Sequence, residues 1–162
     1  MRHLPALLSR FALVAAVFLA GCATTPAPAP LPDALARNPQ LSTFTRLAVQ
    51  SGLADDLRGA GPFTVFAPTD EAFKAVPAKT LEAWNADPAQ LKAVLAFHVI
   101  DGRVAAADVK AGPVKARQGS NLNLAKAGTF VTVEDAVVQD ADLSATNGMA
   151  HTVDRVLMPP KK

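Results

Sequence analysis

The sequence is poor in the residues from which cross-links and thiol metal sites are built. It contains one cysteine and no tyrosine among its 162 residues. A single cysteine excludes an intramolecular disulfide, and it leaves any zinc site dependent on histidine and carboxylate ligands. The charges nearly cancel, with 16 basic and 14 acidic residues, whereas nucleic-acid binding requires a marked basic excess. Stability must therefore come from the core, and no nucleic-acid partner is expected.

The only cysteine, Cys22, follows a short apolar stretch near the amino terminus. Residues 11–20 are apolar, and Arg2 and Arg10 lie before them. A run of about ten residues suits a secretory signal and is too short to span a bilayer. The sequence Leu-Ala-Gly-Cys that ends at Cys22 resembles the lipobox of bacterial lipoproteins.

This resemblance implies that residues 1–21 form a lipoprotein signal peptide and that Cys22 becomes the lipidated, acylated amino terminus. Two or more acyl chains anchor a protein stably, because each buried methylene contributes about 0.8 kcal/mol. An ordinary cleaved signal without lipid is the alternative. Ala23 stands where aspartate would imply inner-membrane retention under the enterobacterial sorting rule. The expected location is therefore the cell envelope, with the lipid in the outer membrane of a Gram-negative bacterium.

Residues 22–32 are predicted to form a spacer between the anchor and the folded domain. Proline occupies every second position from Pro26 to Pro32. Alternating proline disfavours helix and favours extended polyproline II structure. At about 3 Å per residue, ten such residues would lift the domain roughly 30 Å from the membrane. The folded domain is expected over residues 33–160.

The first half of this domain has mainly helical patterns. Apolar residues at helical spacing predict helices over residues 41–50 and 53–58, and a β-rich run predicts a strand over residues 63–67. Thr69 or Asp70 is expected to cap a helix that follows this strand.

Asp87 and Pro88 mark the start of another helix, which is predicted to extend to His98. Trp84 is expected to be half-buried at a helix end.

The second half changes to a period of two. Leu122 and Leu124 alternate with asparagines, and Val131 and Val133 alternate with polar residues. This alternation is typical of strands with one buried face. Helices followed by strands predict an α+β domain with a mostly antiparallel sheet.

Two segments, residues 61–73 and 147–159, resemble the two signature segments of fasciclin domains. The six positions that carry the signature are Pro68, Thr69, Asp70, Asn147, Gly148 and His151. The resemblance implies a wedge-shaped β-sandwich flanked by helices. It also implies a secreted or surface-held protein that acts in adhesion or matrix contact and is not an enzyme.

Residues 95–100 resemble the central Tyr-His segment of the same family, with Phe97 in place of tyrosine. His98 lies on an apolar helical stripe, and His151 shares a strand face with Met149 and Val153. Histidines in such surroundings are predicted to be neutral, hydrogen-bonded core residues rather than catalytic groups or metal ligands. By resemblance, Phe97 and His98 nevertheless stay among the candidates for partner binding.

No catalytic constellation can be assembled from the sequence. His151 and Asp154 are three residues apart on a strand, so their side chains are expected on opposite faces. The serines lack the glycine pattern of a nucleophile elbow, and no glycine-rich phosphate loop is present. No catalytic residue, metal site or cofactor is predicted.

Two surface regions are candidates for contact with a partner. Asp142 and Leu143 resemble the Asp-Ile segment of animal matrix fasciclin domains, which is implicated in integrin contact. In the alternative interpretation Leu143 fills the core and Asp142 shapes its loop. Lys115 and Arg117 belong to a stretch of five cations that would suit an anionic glycan, although it forms no dense cluster and is more simply a solvated face.

Three functions follow from these features. The first is a membrane-anchored, non-catalytic adhesion or matrix-binding module whose partners are the membrane, through its lipid, and a glycan or a surface or matrix protein. The second is a structural envelope lipoprotein. The third is a carrier of a small apolar ligand, which would require a cavity lined by leucine and phenylalanine.

Overall fold

A computed structural model describes residues 27–160 of the chain. The signal peptide and Cys22 lie outside the described residues, as do residues 23–26 of the spacer. Lipidation therefore stays a prediction. No helix in the described part of the chain is long and apolar enough to cross a membrane.

Six α-helices and a 3-10 turn occur in the described residues. They are α1 (Leu31–Ala36), the 3-10 turn (Pro39–Leu41), α2 (Ser42–Gln50), α3 (Leu53–Asp56), α4 (Asp70–Lys74), α5 (Ala78–Ala86) and α6 (Pro88–Phe97). The predicted helices correspond to α2, α3, α4 and α6. The sequence analysis missed α1, and it placed Trp84 at a helix end without giving bounds for α5.

The first of these helices corrects the predicted end of the spacer. Helix α1 begins at Leu31, and Ala29, Leu31 and Pro32 are buried. Proline disfavours a helix interior but fits its first turn, where the missing N–H has no intrahelical partner. The alternating prolines therefore end in a helix start, and the folded domain begins before Asp33.

Within residues 27–160, eight strands form two four-stranded sheets. The first sheet has the order β2 (Val99–Asp101), β1 (Phe63–Pro68), β8 (Gly148–Val153), β7 (Leu143–Ala145). The second has the order β3 (Gly112–Lys115), β4 (Asn121–Ala127), β5 (Phe130–Val133), β6 (Ala136–Val137). All neighbouring strands are antiparallel except β1 and β8, which are parallel. The predicted α+β sandwich, mostly antiparallel, is confirmed.

The first sheet is the middle layer of the domain. One of its faces packs against the helices through Val65, Ala67 and Ala150. Its other face contributes Phe66 and Val153 to a second core with the inner face of the second sheet. The layer order is therefore helices, first sheet, second sheet.

Trp84 corrects another expectation. It lies within α5, near its end, and is only 4% exposed, so it is buried rather than half-buried. It belongs to the core between the helices and the first sheet.

Candidate functional site

The two signature segments meet at the centre of the first sheet. Phe63 in β1 lies opposite Gly148 in β8, and the parallel pairing continues to Pro68 opposite Val153. Every residue of both strands is buried. The signature therefore builds the middle of the fold and presents little surface to a partner.

Asn147 connects β8 to two other parts of the chain. Its Oδ1 accepts a hydrogen bond from the Leu31 amide at 2.9 Å. Its Nδ2 donates to the carbonyls of Leu57, at 2.6 Å, and Gly59, at 2.9 Å. One side chain thus fixes the start of α1 and the loop after α3 beside the sheet.

Thr69 and Asp70 have separate capping roles. The Thr69 hydroxyl accepts from the Ala72 amide and caps α4. Asp70 reaches α2 instead, where its two carboxylate oxygens accept from the Ser42 hydroxyl at 2.7 Å and the Thr43 amide at 2.8 Å. Burial opposes ionisation of Asp70, but these hydrogen bonds outweigh it and lower the pKa of the carboxyl. The contact ties α4 to the start of α2 and satisfies a free amide there.

His98 lies in the core at the end of α6. Its Nδ1 donates to the Val94 carbonyl at 2.9 Å, and its Nε2 accepts from the Leu157 amide at 2.9 Å. This pattern fixes the neutral tautomer with the proton on Nδ1. Burial lowers the pKa of His98 to about 4, against a smaller opposing effect of the Val94 hydrogen bond. The predicted core role of His98 agrees with this geometry.

Phe97 and His98 are corrected as candidates for partner binding. Their exposed fractions are 1% and 0%. Phe97 belongs to the core between the two sheets, and neither side chain can touch a partner in the folded state.

His151 joins two loops from inside the sandwich. Its Nε2 donates to the Val104 carbonyl at 2.8 Å, and its Nδ1 accepts from the Asp142 amide at 3.1 Å. Its ring stacks on Phe66, with the ring centroids 5.6 Å apart. The Asp154 carboxylate instead accepts from the Val137 amide at 2.7 Å, so no His–Asp dyad exists here.

Asp142 shapes the loop that His151 holds. Its φ is 61°, in the left-handed region that aspartate tolerates better than most residues. Its Oδ1 accepts from the Ala106 amide at 2.9 Å, although the residue is exposed. Leu143 is partly buried against the helical core. These contacts favour the structural interpretation of the pair, while the exposure of Asp142 leaves partner contact as a prediction.

The two cations chosen as candidates lie in different settings. Arg117 pairs with Asp101 at 3.1 Å, and its guanidinium lies 4.7 Å from the centroid of the Phe63 ring. Lys115 is exposed and ends β3 on the outside of the second sheet. Arg117 is thus engaged at the end of the first sheet, which weakens the prediction of one basic strip for an anionic glycan.

The described residues contain no group of three or more His, Cys, Asp or Glu side chains that could hold a metal ion. An open cleft of about 530 Å³ lies between α5, α6 and the carboxyl-terminal segment. Its lining mixes Lys79, Thr80 and Gln90 with Trp84, Val94 and Met158. That cleft lacks the leucine and phenylalanine lining expected of an apolar carrier.

Sequence reasoning missed one exposed region, the outside of the second sheet. Phe130 is 67% exposed there and Val137 is 36% exposed. The signal was available, because Val131 and Val133 face inward and the period of two then points Phe130 outward.

Comparisons with known proteins agree with this architecture. The model of the fasciclin domain family matches residues 39–159. Protein sll1483 of Synechocystis sp. is 38% identical over 132 residues, which cover 79% of this chain and 72% of that protein. The cell surface glycolipoprotein MPB83 of Mycobacterium bovis BCG is 34% identical over 136 residues, which cover 81% of this chain and 61% of that protein.

A solved structure shares the fold. It is a FAS1 domain pair from the insect cell adhesion molecule fasciclin I, and it superposes with a TM-score of 0.63. The match covers 81% of this chain and 51% of that chain, at 18% sequence identity.

Proposed function

The chain belongs to the fasciclin family, and from this premise we propose that it is a lipid-anchored module on the extracytoplasmic side of a bacterial membrane. It acts by surface contact with a glycan or a surface or matrix protein, and it catalyses no reaction. The observation that carries the proposal is the use made of the signature residues. Asn147, Thr69, Asp70 and His151 all spend their polar atoms on internal hydrogen bonds. These polar atoms are therefore not available to a partner, and other residues on the surface must make the contact.

Location is supported from two sides. The sequence before Cys22 has the charge, apolar length and small residues of a lipoprotein signal. The relative MPB83 is named a cell surface glycolipoprotein. An outer-membrane position follows from Ala23 under the sorting rule.

Replacing Cys22 with serine is expected to abolish lipid attachment. The full-length chain expressed in a Gram-negative host should incorporate labelled palmitate and fractionate with the outer membrane. The Cys22→Ser variant should lose the label completely and leave that fraction, because hydroxyl cannot replace the thiol in the lipid-transfer reaction. Val49→Ala, a change at an exposed helix position, is the matched control and should behave as the parent chain. Equal labelling of parent and Cys22→Ser would contradict the anchor.

Asp142 offers a test of the contact function that separates charge from loop shape. Asp142→Asn keeps an oxygen for the Ala106 amide and tolerates the same φ, but removes the charge. Asp142→Ala removes the oxygen and strains the loop, so we expect it to cost about 1 kcal/mol of unfolding free energy. If the carboxylate contacts a partner, Asp142→Asn should weaken binding of the full-length chain to intact cells or matrix at least fivefold without changing stability. Unchanged binding would leave Asp142 a loop residue only.

A further inference from the structure

The second sheet has one face that no part of the described chain covers. Its inward side chains, such as Leu122, Leu124 and Val133, pack on the first sheet. The opposite side chains form what we term the outer face. They are Pro113, Lys115, Asn121, Asn123, Ala125, Ala127, Phe130, Thr132 and Val137, and all are exposed except the partly buried Thr132.

The outer face contains a small apolar area at one end. Four large hydrophobic residues in the described chain are exposed, and two of them, Phe130 and Val137, lie on this face. Val137 pairs with Thr132, which is two positions from Phe130 on β5. Alternate residues on a strand are about 7 Å apart, so Phe130, Thr132 and Val137 form one continuous patch. Phe130 adds nothing to the core there, because Val131 and Val133 fill the inward positions.

Amide groups lie farther along the same face, since Asn123 and Asn121 are four and six positions from Ala127, the residue opposite Phe130, or about 13 and 20 Å along β4. Asn121 and Asn123 project from β4 on the same face. Asn123 is held in place by Glu134, which accepts from its backbone amide at 2.7 Å and from its Nδ2 at 3.1 Å. An amide side chain offers both a donor and an acceptor, which suits hydroxyl groups. A sugar ring has the matching chemistry, with C–H groups that pack on an aromatic face and hydroxyls that bond amides.

Size argues against a protein occupant. The face is four strands wide and seven residues long at most, which corresponds to about 19 Å by 23 Å, or roughly 440 Å². A stable protein pair buries about 800 Å² on each side. Strand addition is also disfavoured, since Pro113 interrupts one edge strand and the other, β6, has two residues.

Charge argues against an anionic occupant. Lys115 is the single cation on the outer face, and the Glu134 carboxylate, which bonds Asn123, carries the opposite sign. We propose that the outer face binds a neutral glycan of several sugar units, with Phe130 stacking on one ring and Asn121 and Asn123 bonding hydroxyls of other rings farther along the glycan. This inference rests on the proposed contact function and names its partner class and surface.

Isothermal titration of the full-length chain in mild detergent tests the site. The probes are cellohexaose and mannohexaose as neutral chains and dextran sulfate as an anionic polymer. We expect at least one neutral probe to bind, and Phe130→Ala to weaken that binding at least tenfold. Phe130→Tyr keeps the aromatic face and should retain affinity within about twofold. Val49→Ala, at a residue 64% exposed on α2, is the matched control and should change nothing.

Several results would overturn the proposal. These are no binding of either neutral chain, equal affinity for parent and Phe130→Ala, or tight binding of dextran sulfate alone. A dimer that Phe130→Ala converts to monomer, without glycan binding, would assign the face to a second copy of the chain. If the chain still attaches to intact cells while any of these results is obtained, the glycan site is wrong and the proposed contact function is retained. Loss of attachment to cells and matrix would instead remove the contact function.

Discussion

Lowering the pH from 7 to 4 is expected to cost the folded domain about 3 kcal/mol through His98 alone. Burial lowers the pKa of His98 to about 4, whereas an unfolded histidine titrates near 6.5. Between these values the unfolded chain takes up a proton that the folded chain refuses. The contribution is therefore complete above about pH 6.5, falls as the pH drops to about 4, and is lost below it.

The measurement is urea unfolding of the full-length chain at a series of pH values, followed through the fluorescence of the single, buried Trp84. His98→Gln is the comparison, because glutamine keeps a donor and an acceptor but does not titrate. Between pH 6.5 and 4, the free energy of unfolding of His98→Gln should lack the pH dependence that the uptake of about one proton produces in the parent chain. Asp70 does not confuse the result, because the contribution of its lowered pKa is lost mainly as the pH falls below its unfolded value of 3.8 and is common to both proteins. Parallel pH curves for parent and His98→Gln would refute the prediction.

Replacing Gly148 with alanine is expected to destabilise the domain by about 3–5 kcal/mol, in the range of the most damaging core substitutions. A Cβ on Gly148 would lie 2.2 Å from the Phe63 carbonyl oxygen and 2.7 Å from Leu31 Cδ1. The oxygen cannot retreat, because β1 is paired on both sides, with β2 and with β8. Overpacking against backbone cannot be relieved by changing a rotamer.

Gly59→Ala is the matched control for this substitution. Its added Cβ would meet the Asp56 carbonyl at 3.2 Å in an exposed loop, and we expect a cost of less than about 1 kcal/mol. The measurement compares the free energies of unfolding of both variants from denaturation curves, and circular dichroism establishes that each variant folds. If the Gly148→Ala protein is as stable as Gly59→Ala, the prediction is wrong, because β1 and β8 can then move apart enough to fit the added methyl group.

Sequence reasoning succeeded where one local pattern determined one element. Asp87 with Pro88 marked the start of α6, and the alternation at Leu122 and Leu124 marked β4 and its buried face. The resemblance to fasciclin domains, now confirmed, supplied the overall architecture. The buried state of both histidines followed from their apolar neighbours.

Features that depend on distant contacts were not predictable in the same way. The parallel pairing of β1 with β8 joins residues more than 80 positions apart, and no local pattern encodes it. Asp70 has the side chain and the position expected of a cap for α4, but its carboxylate accepts from the Thr43 amide of α2. Only the packing of the two helices explains this contact. The alternating prolines before Asp33 indicated a spacer. Nothing in that local pattern shows that Leu31 is buried against the rest of the domain.

The attachment of α1 has a mechanical consequence for a tethered protein. The Thr146 amide donates to Ala29 and the Asn147 side chain accepts from Leu31, both next to the start of β8. If the chain is anchored through Cys22 as proposed, a pull at its amino terminus would load these hydrogen bonds, which lie beside the central strands of the first sheet. Under drag at the cell surface the load would then fall next to a fully buried parallel pair, and buried strands open less readily than exposed segments.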